Sequence, residues 1–115
     1  MEYVIKNPTE LTRAILLIEE FRKMDLEMQA QQMLLFLMVM EKPDIGMREI
    51  EERIGLSGAS VSRNVAALSK LHRKNRPGHD LLEAYEDPDD RRYKKVRPTH
   101  KGKLVFQSIL SIMSG

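Results

Sequence analysis

A mainly α-helical domain with one small β-hairpin is the fold class this chain predicts, and three observations predict it. Aliphatic residues recur at three- and four-residue spacing over long stretches of the 115 positions, the mark of helices with a buried stripe. Two of these helices, near 47–54 and 57–71, are separated only by Gly55-Leu56-Ser57. Shortly downstream, Asp87 to Gly102 reads DPDDRRYKKVRPTHKG, where turn-forming acids run directly into a dense cationic stretch and then into a helix start at Thr99.

The first helix is expected over 8–24. Asn7 suits the cap, Pro8 the first helical position and Glu10 the return bond of a capping box. Leu11, Ala14, Ile15, Ile18 and Phe21 repeat at helical spacing, with Leu16 and Leu17 widening the stripe. Asp25 is the expected cap of a second helix carrying Met33 to Met40, eight apolar residues in a row that imply burial nearly all round. Lys42-Pro43-Asp44 ends it. The third helix turns Ile50 and Ile54 to the core. Gly55 suits a left-handed turn, Leu56 plugs the angle between the helices, and Ser57 caps a fourth helix with buried Val61, Val65, Leu68 and Leu71. A hairpin over 82–98 and a last helix over 101–113 follow. Pro98 offers no ladder donor and therefore suits an edge strand.

This order, two helices, a short strand, two further helices, a hairpin and a final helix, is that of a winged helix-turn-helix, expected as a single domain over 1–115 with 47–71 as the helix-turn-helix and 82–98 as the wing. The first and last helices each carry more apolar surface than a small core absorbs. Leu104, Val105, Phe106, Ile109, Leu110, Ile112 and Met113 occupy more than one face of the latter. Helices 8–24 and 101–113 are therefore expected to pair two chains into a homodimer.

Charge and chemistry narrow the function. Residues 1–56 hold 7 basic and 11 acidic side chains, and residues 57–115 hold 12 and 6, so the net of +2 conceals halves of opposite sign. Short or hydrogen-bonding residues, Ser60, Ser62, Arg63 and Asn64, lie between the apolar positions of the fourth helix, a distribution that lets a helix sit deep in a major groove and read base edges. There are no cysteines, which excludes disulfides and thiolate metal sites. His72, His79 and His100 form neither a two-His helical spacing nor a Ser/His/Asp arrangement, and no glycine-rich phosphate loop occurs. No catalytic residue, metal or cofactor is expected. No apolar run reaches the length of a membrane span, no signal peptide is evident, and a cytoplasmic location is expected.

REIEERIGLSGASVSRNVAAL followed by DPDDRRYKKVRPTHKG resembles the MarR-type winged helix transcription regulators, over roughly residues 26–106. The most specific part is the Asp-x-Arg of the wing and the Thr-x-x-Gly helix start, present as Asp90, Arg92, Thr99 and Gly102. The resemblance implies that Arg92 enters a minor groove with Asp90 orienting it. It also implies that Ser60, Ser62, Arg63 and Asn64 make major-groove contacts. With Ser57 at the helix start, Arg91 and Lys94 on the wing, and Arg73 and Lys74 in a basic insertion at 72–80, these form the expected DNA-binding set. The insertion is longer than the family's usual connection and reads either as a basic flap over the phosphates or as a plain loop. Glu51 stands where related motifs often have a small residue. The expected function is sequence-specific binding of double-stranded DNA, as a dimeric repressor on a near-palindromic site. The competing class is a winged-helix interaction module that docks its basic wing on an acidic protein. The resemblance also allows a small-molecule effector, which no residue here identifies.

Overall fold

The computed structural model describes residues 8–70 and 77–114. Its elements are α1 (Pro8–Arg22), α2 (Ala30–Glu41), β1 (Ile45–Gly46), α3 (Met47–Ile54), α4 (Gly58–Leu68), β2 (Leu82–Asp87), β3 (Asp90–Pro98) and α5 (His100–Ser114). The sheet is antiparallel in the order β1-β3-β2. This is the winged-helix layout expected from the sequence.

The core is built mainly from the middle of the chain. Leu35, Phe36 and Val39 of α2, Ile45 of β1, Ile50 of α3, Val61 and Leu68 of α4, Leu81 and Leu82 at the start of β2, and Val96 of β3 are all fully buried. α1 adds only Phe21, whose ring meets Phe36 edge-on at 5.7 Å between centroids. α5 adds Ile109 and the buried backbone of Gly102. α1 packs along α5, yet Leu11, Ile15, Leu16 and Ile18 of α1 and Leu104, Leu110 and Met113 of α5 remain exposed. The molecule measures 52 × 27 × 24 Å. Its radius of gyration of 15.7 Å exceeds the ~13 Å of a compact chain this long.

Several local expectations hold. α1 begins at Pro8, although Asn7 lies outside the described residues. Five of the apolar residues of α2 are buried, with Leu34 left exposed. Gly55 ends α3 at φ +73°, with open space around its α-carbon, so the backbone angle alone is what demands glycine there. Leu71 lies outside the described residues.

Two expectations are corrected. Asp25 does not cap α2. Its carboxylate accepts from Glu27 N at 2.9 Å, closing a turn, and α2 starts five residues later behind Gln29 with no side-chain cap. Pro98 does not lie on an edge strand. β3 is the central strand, but β1 pairs only with Lys95 and Val96, so Pro98 sits beyond the reach of β1 and no ladder donor is missed.

Two close approaches join the hairpin to its neighbours. Thr99 Oγ1 donates to Asp80 O at 2.6 Å and accepts from Gly102 N at 3.0 Å, which starts α5 against the base of the wing. A β-carbon on Gly102 would stand 2.1 Å from Leu81 O. The end of the insertion zips onto the end of α4 through Gly78 N to Lys70 O and His79 N to Ala67 O. Here a Gly78 β-carbon would stand 1.8 Å from Ser69 O. Glycine is required at both positions by backbone contact, independently of φ.

Candidate nucleic-acid interface

The entry to α4 is held by its own first turn. Ser57 Oγ accepts from Ser60 N at 3.2 Å and also hydrogen-bonds Ser60 Oγ at 3.2 Å. Arg63 Nη2 donates to Ser60 Oγ at 3.1 Å. A chain of hydroxyls thus runs from the cap to an exposed guanidinium, on the side of α4 away from buried Val61, Val65 and Leu68. Ser62 is exposed beside it.

Asn64 departs from its expected place on the reading face. It is 6% exposed, and its Nδ2 donates to Ser60 O at 2.9 Å. Asparagine competes well for a carbonyl one turn back, and here its amide is turned into the helix rather than outward. Periodicity hinted at this: Asn64 falls three residues after Val61 and four before Leu68. Glu51 is accommodated by a small partner on the other helix. A β-carbon on Gly58 would lie 2.9 Å from Glu51 Oε1, so the missing side chain at the start of α4 makes room for the carboxylate.

The wing tip is built by its acids. Asp87 Oδ1 accepts from Asp89 N at 3.0 Å and tightens the turn. Asp90 grips Arg92 with both oxygens, Nε to Oδ1 at 3.0 Å and Nη2 to Oδ2 at 2.9 Å, and Oδ1 also accepts Arg92 N at 3.2 Å. The hydrogen bonds from Arg92 hold the Asp90 carboxyl below its usual range, and the same pair raises the guanidinium above its own. The Arg92 side chain is nonetheless 80% exposed. It is an oriented, exposed cation at the tip. Arg91 and Lys94 are exposed on the same strand. Arg73 and Lys74 lie outside the described residues.

The wing base is pinned by groups that sequence reasoning did not single out. The Tyr85 hydroxyl donates to Asp44, a residue at φ +67° whose amide bonds Val96 O at 2.9 Å. This bond raises the Tyr85 pKa. Arg97 lies 4.3 Å over the Tyr85 ring and bonds Glu83 at 2.6 Å. Arg48 of α3 lies 4.0 Å from the Tyr93 ring centroid, with Arg92 at 5.6 Å from the same ring. An aromatic set among cations, Arg92-Tyr93-Lys94, could have flagged Tyr93. No local pattern brings Arg48 to it.

Helix and wing share one side. A cleft of about 520 Å³ is lined by Met47, Arg48, Ser62, Arg92, Tyr93 and Lys94, among others. It opens next to a second hollow of about 460 Å³, which shares Met47, Ser62 and Lys94 with it and runs toward Lys70 and Thr99. Among the described residues no group of three or more His, Asp or Glu could hold a metal ion. His79 Nε2 meets Asp25 Oδ2 at 3.5 Å, without a third ligand. No described helix is long and apolar enough to cross a membrane.

Several solved structures share this fold. The S. aureus MepR–DNA complex aligns with a TM-score of 0.70 at 17% identity, covering 91% of this chain and 76% of its own. A MarR-like transcriptional regulator from Thermotoga maritima aligns at 0.65 with 25% identity, covering 97% and 77%. A point mutant of E. coli MarR complexed with operator DNA aligns at 0.65 with 16% identity, covering 90% and 67%. The architecture is thus that of MarR-type winged-helix regulators. No protein-family model matches the sequence, and no curated protein matches it.

Proposed function

We propose that the chain is a sequence-specific double-stranded DNA-binding transcription regulator, acting as a dimeric repressor on a near-palindromic site. One observation carries the reading: Ser62 of α4 and Arg92 of the wing line a single cleft, so one duplex meets both. The exposed edge of α4 enters a major groove, where Ser57, Ser60, Ser62 and Arg63 contact base edges and flanking phosphates. Arg92, aimed by Asp90, enters the adjoining minor groove, and Arg91 and Lys94 neutralise phosphates. Arg73 and Lys74 add backbone contacts from the insertion. Asn64 holds the first turns of α4 and is left out of the reading set.

Dimer formation follows from the uncovered aliphatic residues of α1 and α5. About half of each of Leu11, Ile15, Leu16 and Ile18 is exposed, and covering a large aliphatic side chain completely is worth ~1.5–3 kcal/mol. Two copies pairing these helices about a two-fold axis set their α4 helices ~34 Å apart, one turn of duplex. The likeness to MepR and MarR structures solved with DNA supports the same use of the fold here. Such a regulator works in the cytoplasm and needs no cofactor.

Selection of bound duplexes from a random pool tests the reading. Enrichment of two inverted half-sites about one helical turn apart is expected. Recovery of no duplex at low salt, where nonspecific binding is strongest, would sink it and leave the wing as a protein-docking surface.

A further inference from the structure

We infer that Arg48, seated on the Tyr93 ring, is a phosphate-contacting residue for the sugar–phosphate strand that crosses the cleft between α4 and the wing. The inference rests on the proposed function and adds a contact outside the DNA-binding set expected from the sequence.

Duplex geometry requires such a strand. Adjacent major and minor grooves are separated by one sugar–phosphate backbone. A protein that holds α4 in the first groove and Arg92 in the second must therefore pass that backbone over the space between them. Here the space is the cleft of about 520 Å³, with Ser62 on one wall and Arg92 on the other. Arg48, Lys94 and Lys95 also line it. Four cations, Arg48, Arg92, Lys94 and Lys95, face two carboxylates there, Glu51 and Asp87, the latter 3.8 Å from Lys95. The lining is cationic on balance, which fits a polyanion crossing it.

Arg48 differs from Arg53, Arg92 and Arg97. Arg53 is paired with Glu41 at 2.8 Å, Arg97 with Glu83 at 2.6 Å and Arg92 with Asp90 at 2.9 Å. Among the described residues Arg48 forms no ion pair within 4.0 Å, although its charge acts on the Asp90 carboxylate, and its guanidinium lies 4.0 Å from the centre of the Tyr93 ring. Contact with the ring restrains the guanidinium and uses none of its N–H donors, which lowers the ordering cost of binding a phosphate. The side chain is exposed and stands at the start of α3, on the helix-turn-helix, while the ring belongs to the wing. The pair therefore joins the two lobes that grip the duplex, at the place where the backbone passes. Tyr93 is its positioning residue.

Salt-dependent anisotropy titrations of the full chain test this, on the best selected duplex and on a scrambled duplex of equal length. Arg48→Ala is expected to weaken both equally, about fivefold at 0.15 M salt, and to reduce the slope of log K against log salt by about 0.9, the value of one phosphate contact. Tyr93→Phe keeps the ring and should match the wild type, whereas Tyr93→Leu should shift both affinity and slope toward Arg48→Ala. A role confined to bracing the fold would lower the unfolding midpoint and leave the slope alone. An unchanged slope in Arg48→Ala, or a loss confined to the selected duplex, overturns the inference. So does a Tyr93→Phe variant as impaired as Tyr93→Leu. A wild-type chain that binds neither duplex overturns the proposed function together with it. A wild type that binds, with Arg92→Ala weakened and Arg48→Ala unaffected, overturns this inference alone.

Discussion

α1 and α2 are consecutive in the chain and similarly rich in aliphatic side chains, yet the fold treats them oppositely. α2 buries Leu35, Phe36, Met38, Val39 and Met40 against α3, α4 and the sheet. α1 buries Phe21, rests on α5, and leaves Leu11, Ile15, Leu16 and Ile18 in the open. An apolar stripe states that a helix needs cover. It does not state which chain supplies it. α2 is covered from within, and α1 and α5 together form an arm whose cover comes from a second copy in the proposed dimer.

The contrast can be broken in graded ways. Phe36→Ala removes a fully buried ring from the covered side and should cost about 3–5 kcal/mol in urea unfolding. A cost near that of a surface substitution would mean that α2 is not enclosed as described. Gly102→Ala strikes the joint between the two regions. Its new methyl group would stand 2.1 Å from Leu81 O, and roughly 1–3 kcal/mol or more is expected, since backbone must move to relieve it. Ile15→Glu touches only the open side. Ile15 is 55% exposed, so unfolding of the monomer should change by less than about 0.5 kcal/mol. Association measured by sedimentation equilibrium should weaken at least tenfold, about 1.4 kcal/mol. The reverse pattern, a less stable monomer and unchanged association, would place the face inside the chain's own core.

The smallest effect concerns the wing tip. Asp90 is held below its ordinary value of 3.8 by the hydrogen bonds from Arg92. A depressed folded value means that the pairing is present above 3.8 and is lost as pH falls through the lower folded value. An NMR titration of the Asp90 carboxyl should show its midpoint below 3.8, and Arg92→Gln should return it upward. A midpoint at or above 3.8 in the wild type would show that the grip does not persist in solution.

Legibility followed distance along the chain. The Gly55 turn, the Ser57 cap, the Thr99–Gly102 helix start and the Asp90–Arg92 pair each span four residues or fewer, and each was readable. Asn64 sits at the limit. Its residue type suggested a reader, while its phase among Val61, Val65 and Leu68 pointed inward, and phase prevailed. Asp25 had the chemistry of a helix cap, but an Asx turn of the same chemistry closed first. The contacts of Arg48 with Tyr93 and of Asp44 with Tyr85 had no local sign, because each joins the helix-turn-helix side of the molecule to the hairpin.

By itself, then, the order of residues determined the helices, the Gly55 turn, the helix starts at Ser57 and Thr99, the hairpin and the grip of Asp90 on Arg92. Hydrogen bonds and backbone angles within a turn or two depend only on neighbouring residue types. Tertiary structure alone decided that β3 is central, that Tyr85 bonds Asp44 and that Arg48 stands beside the wing. Those outcomes depend on which distant surfaces meet, and a residue's type does not encode who its neighbours in space will be.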